Sequence, residues 1–106
     1  MARYLFVARY ASDGIKGIVS AGGTARRTAV ETMAASVGGR VESFDFAFGG
    51  DDVYIVLELP DNKAAAAVAL AANSSGQVSL RTVVLVTPEE IDAAANQTVN
   101  YTPPST

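Results

Sequence analysis

Arg26-Arg27, Asp51-Asp52 and Asp45 are the charged residues of this chain whose setting suggests chemistry, with the tyrosines Tyr4, Tyr10, Tyr54 and Tyr101 beside them. An arginine on an otherwise apolar stretch either grips an anion or is buried at a cost unless it is paired. At about 100° per residue from Ile15, Arg26 falls near the middle of an apolar helical stripe and Arg27 on its edge. Either the helix breaks at Gly22-Gly23 and resets its phase, or Arg26 reaches a carboxylate. Asp51 and Asp52 follow two glycines, so they suit turn positions; their rival role is to pair with Arg26 or to flank the mouth of a cleft. Two adjacent carboxylates are not a glycosidase pair, because spacing across a substrate cannot be read from neighbours. Asp45 lies in mid-strand between Phe44 and Phe46. Buried in an interface, it would have a raised pKa and become a candidate base; at an open rim it is a solubilising charge. The tyrosines can line a pocket as hydrogen-bond donors or pack an interface with a wet hydroxyl, and Arg9 and Arg81 share that ambiguity.

Other chemistry is closed off by composition. The chain has no histidine and no cysteine. Disulfides, thiolate catalysis, zinc–thiolate sites and proximal-histidine haem are thereby excluded, and acid–base work falls on carboxylates or tyrosines. No cofactor and no metal are expected. Gly14, Gly17, Gly22 and Gly23 are followed by no Gly-Lys-Ser/Thr, so they are not a phosphate loop. The net charge of −3 comes without a basic block, which argues against nucleic acid as a partner. No apolar run approaches the roughly 20 residues of a membrane span. The first residues lack the layout of a signal peptide, so a cytoplasmic protein is expected, and three glycosylation-like triplets (at Asn73, Asn96 and Asn100) are read as chance.

The elements that must hold these groups follow from periodicity and punctuation. A chain of 106 residues predicts one domain, residues 1–106, with 97–106 as an extended tail. Tyr4–Tyr10 (YLFVARY) is rich in aromatic and branched residues and predicts a strand. Ser12-Asp13-Gly14 offers an N-cap to a helical stripe that runs from Ile15 to Val37, is interrupted at Gly22-Gly23 and ends at Gly38-Gly39. Val41–Phe48 and Asp52–Leu59 predict two strands, and about four residues between them require an antiparallel hairpin. Asp61 caps an alanine-rich helix that reaches about Asn73 and is closed by Ser74-Ser75-Gly76. Val78–Val86 predicts the fourth strand. Thr87-Pro88-Glu89-Glu90 then starts a short helix that ends near Asn96.

The order β-α-β-β-α-β plus a terminal helix predicts an α+β, ferredoxin-like fold. Such a sheet carries both helices on one face. Here both faces are largely apolar, although Glu58 shares a face with Tyr54 and Val56. Leu5 and Val7 oppose Tyr4, Phe6 and Ala8; Tyr54 and Val56 oppose Val53, Ile55, Leu57 and Leu59; Val83 and Leu85 oppose Val78, Leu80, Val84 and Val86. On the second strand, Phe44, Phe46 and Phe48 are assigned to one face and Val41, Ser43, Asp45 and Ala47 to the other. A free apolar face marks a partner site. The economical solution is a homodimer, or a higher homo-oligomer, with sheets packed face to face about 10 Å apart.

The segments YLFVARY, GIKG, GGTARR, VGGRVESFDFAFGGDDVYIVLELPDN, TPEEID and YTPP together resemble the GYD-domain family. The resemblance covers nearly the whole chain and implies a dimeric α/β barrel of the ferredoxin-like group. The family is named after a Gly-Tyr-Asp turn. This chain reads Gly50-Asp51-Asp52 there, without the aromatic. Relatives in the wider group include cofactor-independent monooxygenases, isomerases, dehydratases and haem enzymes, so the fold by itself selects no reaction. Three functions stay open. The first is a small homo-oligomer holding a small ligand between paired sheets, with Arg26, Asp52, Tyr4 and Tyr54 as candidate ligand contacts. The second is a cofactor-free enzyme for proton transfer or oxidation on a small carbonyl or phenolic substrate, carried by Asp45, Arg26 and a tyrosine. The third is a structural or regulatory subunit without a ligand.

Overall fold

A continuous apolar run, Tyr4 to Ala8, makes Ala2–Tyr10 a central strand, β1, of the computed structural model, which describes residues 1–105. Helices α1 (Ser12–Ala21) and α2 (Gly23–Ser36) lead to the hairpin β2 (Arg40–Phe46) and β3 (Val53–Leu59). Helix α3 (Asn62–Ser74), strand β4 (Val78–Leu85) and helix α4 (Pro88–Ala95) complete the order. The sheet runs β2-β3-β1-β4 with every pair antiparallel. This is the expected ferredoxin-like βαββαβ arrangement with a short C-terminal helix.

The core lies between the sheet and one helical layer. Tyr4, Phe6, Ala8, Val53, Ile55, Leu57 and Leu59 meet Val30 and Ala34 of α2 and Ala64, Ala65 and Val68 of α3. Alanines at these contacts let α3 sit close to the strands while keeping high helix propensity. Tyr4 is 1% exposed, and its hydroxyl donates to Asn62 Oδ1 at 2.6 Å, so burial leaves no polar group unpaired.

Element ends follow the punctuation with one exception. The helical stripe breaks at Gly22, which takes φ +93°, and α2 starts afresh at Gly23. Helix α2 ends in a Schellman arrangement: Gly38 N–H donates to Ala35 O and Gly39 N–H to Ala34 O, with Gly38 at φ +82°. Asp61 accepts from Ala64 N–H, and Thr87 with Glu90 forms a full capping box. The exception is α1. Its N-cap is Ala11 without a side-chain bond, so the expected cap at Ser12-Asp13 does not form; both residues already lie inside the helix.

Two further corrections concern β2. The ladder slips between Val41 and Ser43, with Val41 opposite Leu57 and Ser43 opposite Val56. This bulge puts Val41 on the helix side with Phe44 and Phe46, not with Ser43 and Asp45 as strict alternation required. The strand also stops at Phe46, so Phe48 shares no face with Phe44 and stands fully exposed in the loop. Edge strand β4 is guarded at one residue by Asn73, whose amide accepts from Leu80 N–H at 2.7 Å and donates to Leu80 O at 3.3 Å.

Candidate functional site

The loop Ala47–Asp52 closes when Ala47 N–H donates to Asp52 O at 2.8 Å, with Gly49 at φ +126°. Asp52 then has a local task. Its Oδ2 accepts from Tyr10 N–H at 2.8 Å and its own N–H donates to Ala8 O, fastening the loop to the end of β1. Asp51 lies 3.7 Å from Arg81 Nη2 and 4.0 Å from Arg9 Nη2. The carboxylates of this turn therefore meet Tyr10, Arg9 and Arg81, not Arg26.

The side of the sheet away from the helices carries cross-strand rows. One runs Ser43, Val56, Leu5, Val83; the next runs Asp45, Tyr54, Val7, Arg81. Leu5, Val7, Val56 and Val83 form its apolar middle, with Leu85 beside Arg3. Val7 is only 2% exposed under its neighbours, whereas Tyr54 is 39% exposed. Charged groups border this middle at both ends. Arg3 Nη2 donates to Glu42 Oε2 at 2.9 Å and Arg40 pairs with Glu58 at 2.6 Å at one end; Arg9, Arg81 and Asp51 stand at the other. The guanidinium of Arg3 holds the Glu42 carboxyl below its ordinary range.

Arg26 lies on the opposite side of the sheet. The helix break at Gly22 turns α2 so that Arg26 points into a cleft between α1, α2 and α3. Its Nε donates to Tyr10 Oη at 3.3 Å, and its guanidinium carbon sits 5.8 Å from the Tyr10 ring centre. Among the described residues, no carboxylate pairs with it. The cleft, half open to solvent, offers about 440 Å³. Gly17 lines it, and a Cβ there would meet nothing within 4 Å. The small residues Ala25, Ala71 and Ala72 also border the space, and Ile18, Met33 and Val78 give it apolar walls.

The candidate residues are thus distributed over separate places. Tyr4 is sealed in the core, Asp52 fastens a loop, Asp45 and Tyr54 share a row on the bare sheet face, and Arg26 lies in the helix-side cleft. Within one chain Asp45 and Arg26 do not come together. The tyrosine that meets Arg26 is Tyr10, whose closeness followed from no spacing in the sequence because it joins a side chain of α2 to one at the end of β1. Among the described residues no cluster of carboxylates or histidines suited to a metal is present, and no helix is long and apolar enough to cross a membrane.

The family model of the GYD domain matches residues 4–95, which run from within β1 to the end of α4. Neither a curated protein nor a solved structure matches the chain.

Proposed function

The chain belongs to the GYD-domain family, and from that membership and the geometry above we propose that it is a homodimer that binds a small molecule. The observation that carries the reading is the sheet face away from the helices, where Leu5, Tyr54, Val56 and Val83 form an apolar middle around the already covered Val7, between charged ends. An apolar centre with a polar rim is the anatomy of a protein interface. Charge supports a second copy as the occupant. The row Asp45, Tyr54, Val7, Arg81 has a carboxylate at the β2 edge and a guanidinium at the β4 edge. A two-fold axis along the strands sets each Asp45 edge over the partner's Arg81 edge.

The C-terminal segment supports the same reading. Every described residue from Pro88 to Ser105 is exposed, including Ile91, Val99 and Tyr101, although α4 is well capped. The radius of gyration is 16.8 Å, against about 13 Å for a compact chain of this length. A second chain gives such an arm something to lie on. Each chain meanwhile keeps its cleft on the far side of the sheet, open to a small molecule. Light scattering on the eluting protein tests the dimer: the expected result is twice the chain mass for the natural sequence and a monomer for Val56→Glu. A natural chain that elutes as a monomer at micromolar concentration contradicts it.

A further inference from the structure

We infer that the cleft between α1, α2 and α3 takes a small organic anion with an apolar body, its head held by the guanidinium of Arg26 and the hydroxyl of Tyr10. The inference rests on the small-molecule reading above and gives that molecule a chemical class and a place. The place is a cavity of about 440 Å³, within the range of roughly 300–1,000 Å³ typical of small-ligand sites.

The class follows from a count of donors. Arg26 spends Nε on Tyr10 Oη and leaves the N–H groups of its two terminal nitrogens free, among the described residues. Tyr10 accepts that bond, so its own O–H remains available to donate. Both groups therefore offer hydrogens and call for an acceptor. Among the described residues, Arg26 is the only charged one that lines the cleft; no Asp or Glu does. A planar guanidinium suits a carboxylate or a phosphate through paired bonds. The remaining wall selects the body. Apart from Ser75 and Gln77, it is made of Ile18, Met33 and Val78 with glycine and alanine neighbours, a mainly apolar surface that a bare inorganic anion would leave wet.

The test is calorimetric titration of the purified chain with benzoate, hexanoate, phenyl phosphate, benzyl alcohol and acetate. Benzoate, hexanoate or phenyl phosphate should bind at least about tenfold more tightly than benzyl alcohol, because a charge-assisted bond is at stake. Whichever of the carboxylates or the phosphate binds best identifies the head group. Acetate should bind weakly for want of a body. Arg26→Met should cost the best anion about tenfold or more, with Arg26→Lys retaining part of the affinity. Gly17→Leu projects a side chain into the open space and raises helix propensity, so it should abolish binding while the melting temperature holds or rises. Every group invoked lies within one chain, so Val56→Glu should bind as the natural protein does. Benzyl alcohol binding as tightly as benzoate, or Arg26→Met without effect, overturns the inference and leaves the small-molecule reading standing. Binding that survives Gly17→Leu places the molecule elsewhere and overturns the inference alone; no binding by any probe overturns both.

Discussion

Tyr4 and Asp52 show how a side chain that looks available for chemistry can be absorbed by the fold. Tyr4 is buried with its hydroxyl on Asn62. Tyr4→Phe keeps the ring and leaves Asn62 without that donor, so it should lower stability by about 1 kcal/mol in a denaturant titration. Asp52→Ala strips Tyr10 N–H of its acceptor and frees the loop; the expected loss is about 1–2 kcal/mol. Glu42 offers a test in acid. Its carboxyl is held below the ordinary value by the hydrogen bond from Arg3. A carboxyl with a depressed folded-state pKa contributes stability above its unfolded pKa, and that contribution vanishes as the pH falls through the folded value. The melting temperatures of the natural chain and Glu42→Gln should therefore differ slightly at neutral pH and converge in acid. A gap that persists at the acid end contradicts the assignment. The candidate site was readable in part at this scale. Arg26 stood out because a guanidinium on an apolar stripe demands a reason. Its partner Tyr10 could not be read, since the contact joins residues from a helix and a strand end through their relative placement.

Glycines decide the ends of the elements, and much of the fold was readable through them. The break at Gly22 and the stop at Gly38-Gly39 follow from positive φ that other residues resist. Gly38→Ala should cost about 1 kcal/mol for the left-handed backbone alone. At Gly39 a Cβ would overlap the Glu58 carbonyl and the Leu59 side chain. Gly39→Ala should cost more, about 2–3 kcal/mol, because the turn after α2 presses on β3. Equal effects at the two positions, measured by thermal unfolding, would show that backbone strain alone sets both. What the pattern hid has a common cause. The bulge at Glu42 leaves every residue of β2 in a plausible strand sequence, yet it moves Val41 to the other face. Alternation carries no signal for an inserted residue. The missing cap on α1 is similar: Ser12 and Asp13 are good capping types, but the chain enters the helix one residue earlier, at Ala11.

The whole molecule has two distinct surfaces on opposite sides of one sheet: a face with an apolar middle, which we propose takes a second copy, and a helix-side cleft with a lone guanidinium. The first was foreseeable from the apolar residues on both faces of β1, β3 and β4, whereas β2 adds only Arg40, Ser43 and Asp45 to the bare side. The second was not, because the space arises where glycines and alanines of three helices leave a gap. Separating the two lets assembly and binding be disturbed independently. The most direct measurement of the central claim uses the absence of cysteine, which makes a single introduced thiol an unambiguous reporter. Val56→Cys, on the bare face, and Ala66→Cys, exposed on α3, are treated at the same micromolar concentration with a bis-maleimide that spans the roughly 10 Å between packed sheets, and the products are separated by size under denaturing conditions. A covalent dimer that forms readily at position 56 and poorly at position 66 is the predicted result. Equal cross-linking at both positions, or none at position 56, would contradict face-to-face assembly.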